Sequence, residues 1–308
     1  MRPKEKVFIT GDKEMVPDAL WRAFGKGGMD VSLRGYAGAD FSDRGALLDL
    51  FRRERPGYIF LTSAVSGGIQ ANISHPAEFL YQNLEMQNSV IEAARLAKVR
   101  RLFFIAASCV YPRKCRQPIR EEYLMTGPLE PTNEAYAIAK LAGIKMCGAY
   151  NRQYGTDFIS LIPSNLYGPG DKFDAGSSHV IPALIMKMYE AKRRKDKSVA
   201  VWGSGRPERD FLYIDDFADA CLFIMDKDGL PEVMNVASGL GVTVRRLAGL
   251  LKKATGFRGK LEFDTTKPDG MPKKVLDITK LRSAGWVRRT EIGAGLKKTC
   301  LDYGRRSG

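Results

Sequence analysis

The sequence predicts a doubly wound parallel α/β sheet carrying a smaller C-terminal lobe, because short apolar runs alternate with helix-length segments through its first half. Two runs carry most of that expectation. Lys6 to Thr10 is apolar and ends at Gly11, before a helix-like segment from about Met15. Leu102 to Ala107 is apolar at every position, as expected of a central strand covered on both faces. Asp30 to Leu33 and Tyr58 to Thr62 supply further strands, the second followed by the turn-rich SAVSGGI. A helix over Glu78 to Leu96 leads into the central strand, and Phe158 to Ile162 is the strand after the next helix. That helix is expected from a cap at Thr132 or Asn133 to about Tyr154, closed by Gly155.

Length and composition set the outer limits. A chain of 308 residues holds one large or two modest domains with a proper core. With 44% hydrophobic and 27% charged residues it is an ordinary globular protein rather than a disordered one. Residues 1–165, with a return near 210–240, read as a dinucleotide-binding domain, and 166–308 as a substrate-binding lobe. The N-terminal stretch is too short for a signal peptide's apolar core, and no later run reaches spanning length. Five cysteines without a CxxC pair point to a reducing cytoplasm and no structural metal. The net charge of +14 is scattered apart from AKRRKDK at 191–197, which reads as a solvated helix end. Nucleic acid is therefore not the expected partner; an anionic nucleotide-sugar and a dinucleotide suit the charge better.

The chemistry concentrates where the central strand ends. Ser108, Cys109, Val110, Tyr111 and Pro112 lie where an open α/β sheet places its reactive groups. Tyr136 follows, with Lys140 four positions on; of twelve tyrosines it alone has that partner. On a helix this spacing puts phenol and ammonium on one face. A fixed positive charge is expected to lower the phenol's pKa and fit it for proton exchange with a carbonyl or alcohol.

The first strand and helix suggest a pyrophosphate cradle at Gly11, with Met15 and Val16 opening the helix. Glu14 and Pro17 occupy the following loop and first helical turn. Pro17 is tolerable there. Glu14 leaves two readings open, plain N-terminal capping or a remodelled cofactor site. Arg34, at the end of the second strand where an acid would bind NAD ribose, favours NADP(H), with Lys13 as a second cation; an ordinary exposed arginine is the alternative. Asp215 and Asp216 read as caps of a helix from Phe217 to Met225.

The stretches LEPTNEAYAIAKLAGIK, SNLYGP, SHVIPALI, WGSG and KPDG resemble the extended short-chain dehydrogenase/reductases, a Rossmann-like family, and within them the GDP-L-fucose synthases. The resemblance runs nearly end to end. It implies a GDP-4-keto-6-deoxy-sugar substrate, epimerisation at C3 and C5, and reduction at C4 by NADPH in a homodimer built through long helices. It assigns proton transfer at carbon to Cys109 and His179, and the reductive step to Tyr136 and Lys140. It also implies Gly11, Lys13, Met15, Val16, Arg34, Lys140 and Asn165 as cofactor residues, and Lys187, Trp202, Arg209 and Lys267 as substrate residues. Lys273 and Lys274 face either phosphates or solvent.

Three positions depart from the family pattern. Glu14 and Pro17 replace two glycines of Gly-x-x-Gly-x-x-Gly, and Ala107 replaces the serine that polarises the C4 oxygen. Ser108 is the adjacent hydroxyl, but strand alternation is expected to turn it to the other face. Losing such a donor costs on the order of 10²–10³ in rate. All three departures fall on the hydride-transfer side.

Overall fold

Runs of aromatic and β-branched residues form short strands, and the amphipathic segments between them cover both faces of one parallel sheet. The computed structural model describes residues 6–11, 14–34, 40–174, 178–267 and 269–307, without the side chains of 32–34 and 69. The first half runs β1 (Lys6–Ile9), α1 (Met15–Lys26), β2 (Asp30–Arg34), α2 (Arg44–Glu54), β3 (Tyr58–Leu61), α3 (Ile69–Ser74), α4 (Pro76–Leu96), β4 (Arg101–Ile105), α5 (Glu134–Tyr154) and β5 (Phe158–Pro163). Then come β6 (Asn165–Tyr167), α6 (Val180–Arg194), β7 (Ser198–Trp202), β8 (Glu208–Tyr213), α7 (Ile214–Met225) and β9 (Val233–Val236). The chain closes with β10 (Gly241–Thr243), α8 (Val244–Thr255), β11 (Lys260–Asp264), β12 (Lys273–Lys274), α9 (Thr279–Ser283) and α10 (Ile292–Ser307).

Six strands form the main sheet in the order β2-β1-β3-β4-β5-β9, every neighbouring pair parallel. The order reverses between β1 and β3, so a crevice opens at their carboxyl ends. One face packs on α1 and α7 through Leu20, Phe24, Phe217 and Ile224. The other packs on α2, α4 and α5 through Leu47, Phe51, Val90, Ile91 and Ile144. A third core, including Leu184, Val199, Leu247 and Leu296, belongs to the C-terminal lobe. There β8 pairs with β6, β10 and β12, while β7 pairs with β11. No helix among the described residues is long and apolar enough to cross a membrane.

Two elements differ from the sequence expectation. The loop after β3 contains α3, stabilised where Asn72 Nδ2 donates to the carbonyls of Gly67 (2.9 Å) and Gly68 (3.0 Å). Asp215 and Asp216 are not caps, because α7 already begins at Ile214. Asp216 is buried and accepts from Thr290 N (2.9 Å) and Oγ1 (2.8 Å), whereas Asp215 pairs with Arg22 at 3.0 Å. Both tie α7 to other elements.

α5 lies close enough to β4 that one residue has no room for a side chain. A Cβ at Gly143 would sit 2.7 Å from Phe104 Cε1 and against Cζ as well. Phe104 is fully buried, so it has little freedom to yield. Gly143→Ala is expected to lower the unfolding free energy by about 1–3 kcal/mol, even though alanine favours a helix by ~1 kcal/mol over glycine. Guanidinium unfolding at unchanged m-value checks this; a midpoint at or above that of the parent protein would contradict the close α5–β4 contact.

Candidate active site

The first two turns of α5 aim Tyr136 and Lys140 at the end of β4. Lys140 is only 2% exposed, and its Nζ donates to the Ile105 carbonyl at 3.1 Å. The same nitrogen lies 4.9 Å from the Phe104 ring centroid and 6.0 Å from that of Tyr136. Burial lowers the Lys140 pKa to about 8, partly opposed by Cys109. Tyr136 is half-buried and packs edge-on against Phe79 at 6.3 Å. Its phenol pKa is raised, first by burial and then by Cys109. This corrects the expectation that Lys140 lowers it. The ammonium is engaged by a main-chain carbonyl, and desolvation of the phenolate sets the direction of the shift.

β4 stops at Ile105; Ala107 is extended (φ −151°, ψ 150°), and Ser108–Val110 form a single 3₁₀ turn. Ser108 and Cys109 are both buried. Strand alternation therefore does not govern Ser108, which already lies beyond the strand. The Cys109 thiol is pushed up by burial, with Lys274 and then Lys140 pulling it back. Nearby cations are present, and desolvation exceeds them. Tyr136, Lys140 and Cys109 thus form one electrostatic cluster in which phenol and thiol are protonated at rest.

His179 comes from the other lobe, at the N-cap position of α6, and its side chain does not cap that helix. The ring is open to solvent, yet the surrounding protein lowers its pKa by desolvation. Among the described residues it makes no hydrogen bond to Cys109, Tyr136 or Lys140.

Lys187, Trp202 and Lys267 come together. Trp202 is 64% exposed, unusual for an indole without a ligand role, and its ring centroid lies 5.2 Å from Lys187 Nζ and 5.6 Å from Lys267 Nζ. The loop carrying Lys267 is pinned by Asp269, which accepts from Ser204 N and Oγ, both at 2.7 Å. Arg209 braces the same loop: Nη1 donates to Met271 O at 2.6 Å and Nη2 to Asp269 O at 3.4 Å. A flat aromatic face flanked by two ammonium groups can stack a base and attract phosphates.

At the sheet crevice, Gly11 has φ +102°, and a Cβ there would sit 3.2 Å from Pro17 Cγ and 3.3 Å from Thr62 Oγ1. Only glycine suits that close turn. Thr10 Oγ1 accepts from Thr62 N and Ser63 N, both at 3.0 Å, closing β1 onto the loop after β3. The amides of Met15 and Val16 open α1 and have no partner within the helix. Pro17 falls in the same turn, so it removes a donor that the helix does not use. Glu14 stands at the N-cap position, exposed and without a side-chain cap bond. The plain-capping reading of Glu14 is thus not what its side chain does. Gly11, Met15 and Val16 retain a cradle of the right chemistry for a pyrophosphate. Asn165 is exposed, with Nδ2 donating to Asp210 O at 2.8 Å. Lys13 and the Arg34 side chain lie outside the described residues.

Sequence reasoning missed how the site is electrically closed. Lys273 pairs with Glu208 at 3.0 Å, whereas Lys274 turns inward as the foremost cation acting on Cys109. The alternation of strand side chains was the available signal, but a two-residue strand is too short to reveal it. A concavity of about 830 Å³ lies elsewhere, among Lys192, Lys195, Lys252, Lys253 and Arg258 at the ends of α6 and α8. Its cations serve helix C-termini, as Lys192 Nζ does with Thr255 O at 3.1 Å, so size does not mark the chemistry here.

Comparison with known proteins agrees with this geometry. Residues 7–237 match the NAD dependent epimerase/dehydratase family. The chain is 46% identical over 295 residues to a putative GDP-L-fucose synthase 2 of Arabidopsis thaliana, covering 96% of this chain and 90% of that one. It is 43% identical over 306 residues to the GDP-L-fucose synthase of Escherichia coli strain K12, covering 96% and 95%. A GDP-L-fucose synthetase from Naegleria fowleri, solved bound to NADP, superposes with a TM-score of 0.90 at 28% identity, over 100% of this chain and 96% of that one. The protein thus belongs to the NAD-dependent epimerase/dehydratase family, among the GDP-L-fucose synthases.

Proposed function

We propose that this chain epimerises a GDP-4-keto-6-deoxyhexose at C3 and C5 and then reduces C4, with reduction the slower half. The observation that carries this reading is the Tyr136–Lys140–Cys109 cluster at the end of β4. The 4-keto group acidifies the neighbouring carbons, so inversion needs only a base, an acid and a partner for the C4 oxygen. Cys109 takes a proton from carbon, and charge moves to the C4 oxygen, where the Tyr136 hydroxyl donates a hydrogen bond. His179 returns a proton to the opposite face. Lys187, Trp202, Arg209 and Lys267 hold the guanine nucleotide. For the second stage Tyr136 gives its proton to the C4 oxygen, and Lys140 stabilises the resulting phenolate. NADPH, when bound, supplies the hydride to C4. Gly11, Met15 and Val16 would hold its pyrophosphate, Lys13 and Arg34 its 2′-phosphate, and Lys140 and Asn165 its nicotinamide half.

Ala107 favours a second reading, an epimerase with little reductase activity. No serine hydroxyl stands at that position, and Glu14 adds a negative charge beside the cradle. Calorimetric titration with NADPH separates the two: tight binding supports the full reaction, and no binding at millimolar cofactor removes the reductive half. The unpaired state of the five cysteines supports a reducing, cytoplasmic setting. Exposed apolar side chains on α4 and α5, among them Tyr81 and Ile138, support a homodimer through these helices, which sedimentation equilibrium tests.

Three further outcomes are expected. Cys109→Ser should fold normally and lose about 10²–10⁴ of solvent exchange at C3 and C5; undiminished exchange would remove Cys109 from the reaction. Ala107→Ser should speed C4 reduction by roughly tenfold or more without accelerating exchange. Because burial holds the thiol protonated, the exchange rate should climb with pH through 7 and 8, roughly tenfold per unit while the thiol remains below half-ionised. A plateau already reached at pH 7 would contradict the raised thiol pKa.

A further inference from the structure

Lys274 stands where the two lobes are stitched together. Its Cα pairs with that of Arg209 on β8. The next residue, Val275, accepts from Ile119 N at 2.8 Å and donates to Gln117 Oε1 at 3.0 Å. Ile119 and Gln117 belong to the loop that follows Cys109. Within that loop Tyr111 donates to Asn235 Oδ1 at 2.6 Å, and Asn235 Nδ2 donates back to Ile119 O (3.0 Å) and Asp277 O (2.9 Å). A closed circuit of hydrogen bonds therefore fixes the strand bearing Lys274 against the turn bearing Cys109.

Val275 and Leu276 are buried and Lys274 is half-buried beside them. Among the described residues no carboxylate forms an ion pair with Lys274, while its neighbour Lys273 is paired with Glu208. An ammonium placed inward without a counter-ion is costly unless an anion forms beside it. Its foremost electrostatic partner is Cys109, followed by Arg209, Cys115 and Glu130. Lys140, the other cation near Cys109, is already bound to the Ile105 carbonyl and lies over the Phe104 ring.

We propose that Lys274 is a positioning residue for Cys109, its ammonium supplying the charge that stabilises the thiolate. The inference rests on the proposed role of Cys109, but its test does not require turnover.

The test is the pH dependence of Cys109 alkylation by iodoacetamide, followed by peptide mass spectrometry in a Cys115→Ser background. The midpoint of that profile reports the thiol itself and, unlike the rate, does not depend on how easily the reagent reaches the sulfur. Lys274→Met is expected to move the midpoint up by about one pH unit, a roughly tenfold loss of reactivity at pH 8. Lys274→Arg should restore it. Should Lys274→Met not fold, Lys274→Gln is read in the same way. A midpoint unchanged in Met or Gln overturns the proposal, and so does an Arg variant that behaves like Met, since shape rather than charge would then be responsible. Absence of C3 and C5 exchange in the parent protein would remove the proposed function while leaving a shifted midpoint intact, so the two failures are distinguishable.

Discussion

Desolvation at the carboxyl end of β4 is the constraint on which the rest of the site depends. Every residue of that strand is buried, and α5 is pressed against it at Gly143, so the groups beyond the strand meet little water. Burial raises phenol and thiol pKa values and lowers that of an ammonium, and all three shifts are present at Tyr136, Cys109 and Lys140. Charge there exists only where a fixed partner supports it. The Ile105 carbonyl does so for Lys140, and Lys274 is the foremost cation opposing the burial that keeps the Cys109 thiol protonated.

The C-terminal lobe completes this arrangement from the other side. β8 and β12 hold Arg209 and Lys274 side by side, and the loop carrying Lys267 is braced by Asp269 and Arg209 beside Trp202. The two halves of the chemistry are unequally equipped. In the proposed reaction, proton transfer at carbon draws on Cys109, His179 and the Tyr136 phenol, whereas the hydride side has Ala107 where the resemblance implies a serine, and Glu14 close to Gly11. Pro17 is less consequential, since its missing N–H had no role in the helix.

Much of the fold was legible in the sequence because buried parallel strands are written as continuous apolar runs, and Leu102 to Ala107 marked the central one. The helix bearing Tyr136 was also readable, from its cap region to Gly155, because period and stop signal agree there. Asp215 and Asp216 were misread because their hydrogen-bond donors, Arg22 and Thr290, come from distant segments. Proton affinities at the site were misjudged for a related reason. The i, i+4 spacing of Tyr136 and Lys140 fixes a shared face, but not the carbonyl that captures the ammonium or the depth of burial. Lys274 stood in plain view in KPDGMPKK, yet only the pairing of β12 with β8 and of Val275 and Leu276 with Ile119 brings its strand beside the loop that follows Cys109.

The most direct test of this account is solvent deuterium incorporation into a GDP-4-keto-6-deoxyhexose with NADPH left out. If the strand-end cluster performs proton transfer on its own, deuterium should enter at both C3 and C5 while the C4 ketone persists. Incorporation that appears only when NADPH is added, or at neither carbon, would contradict it.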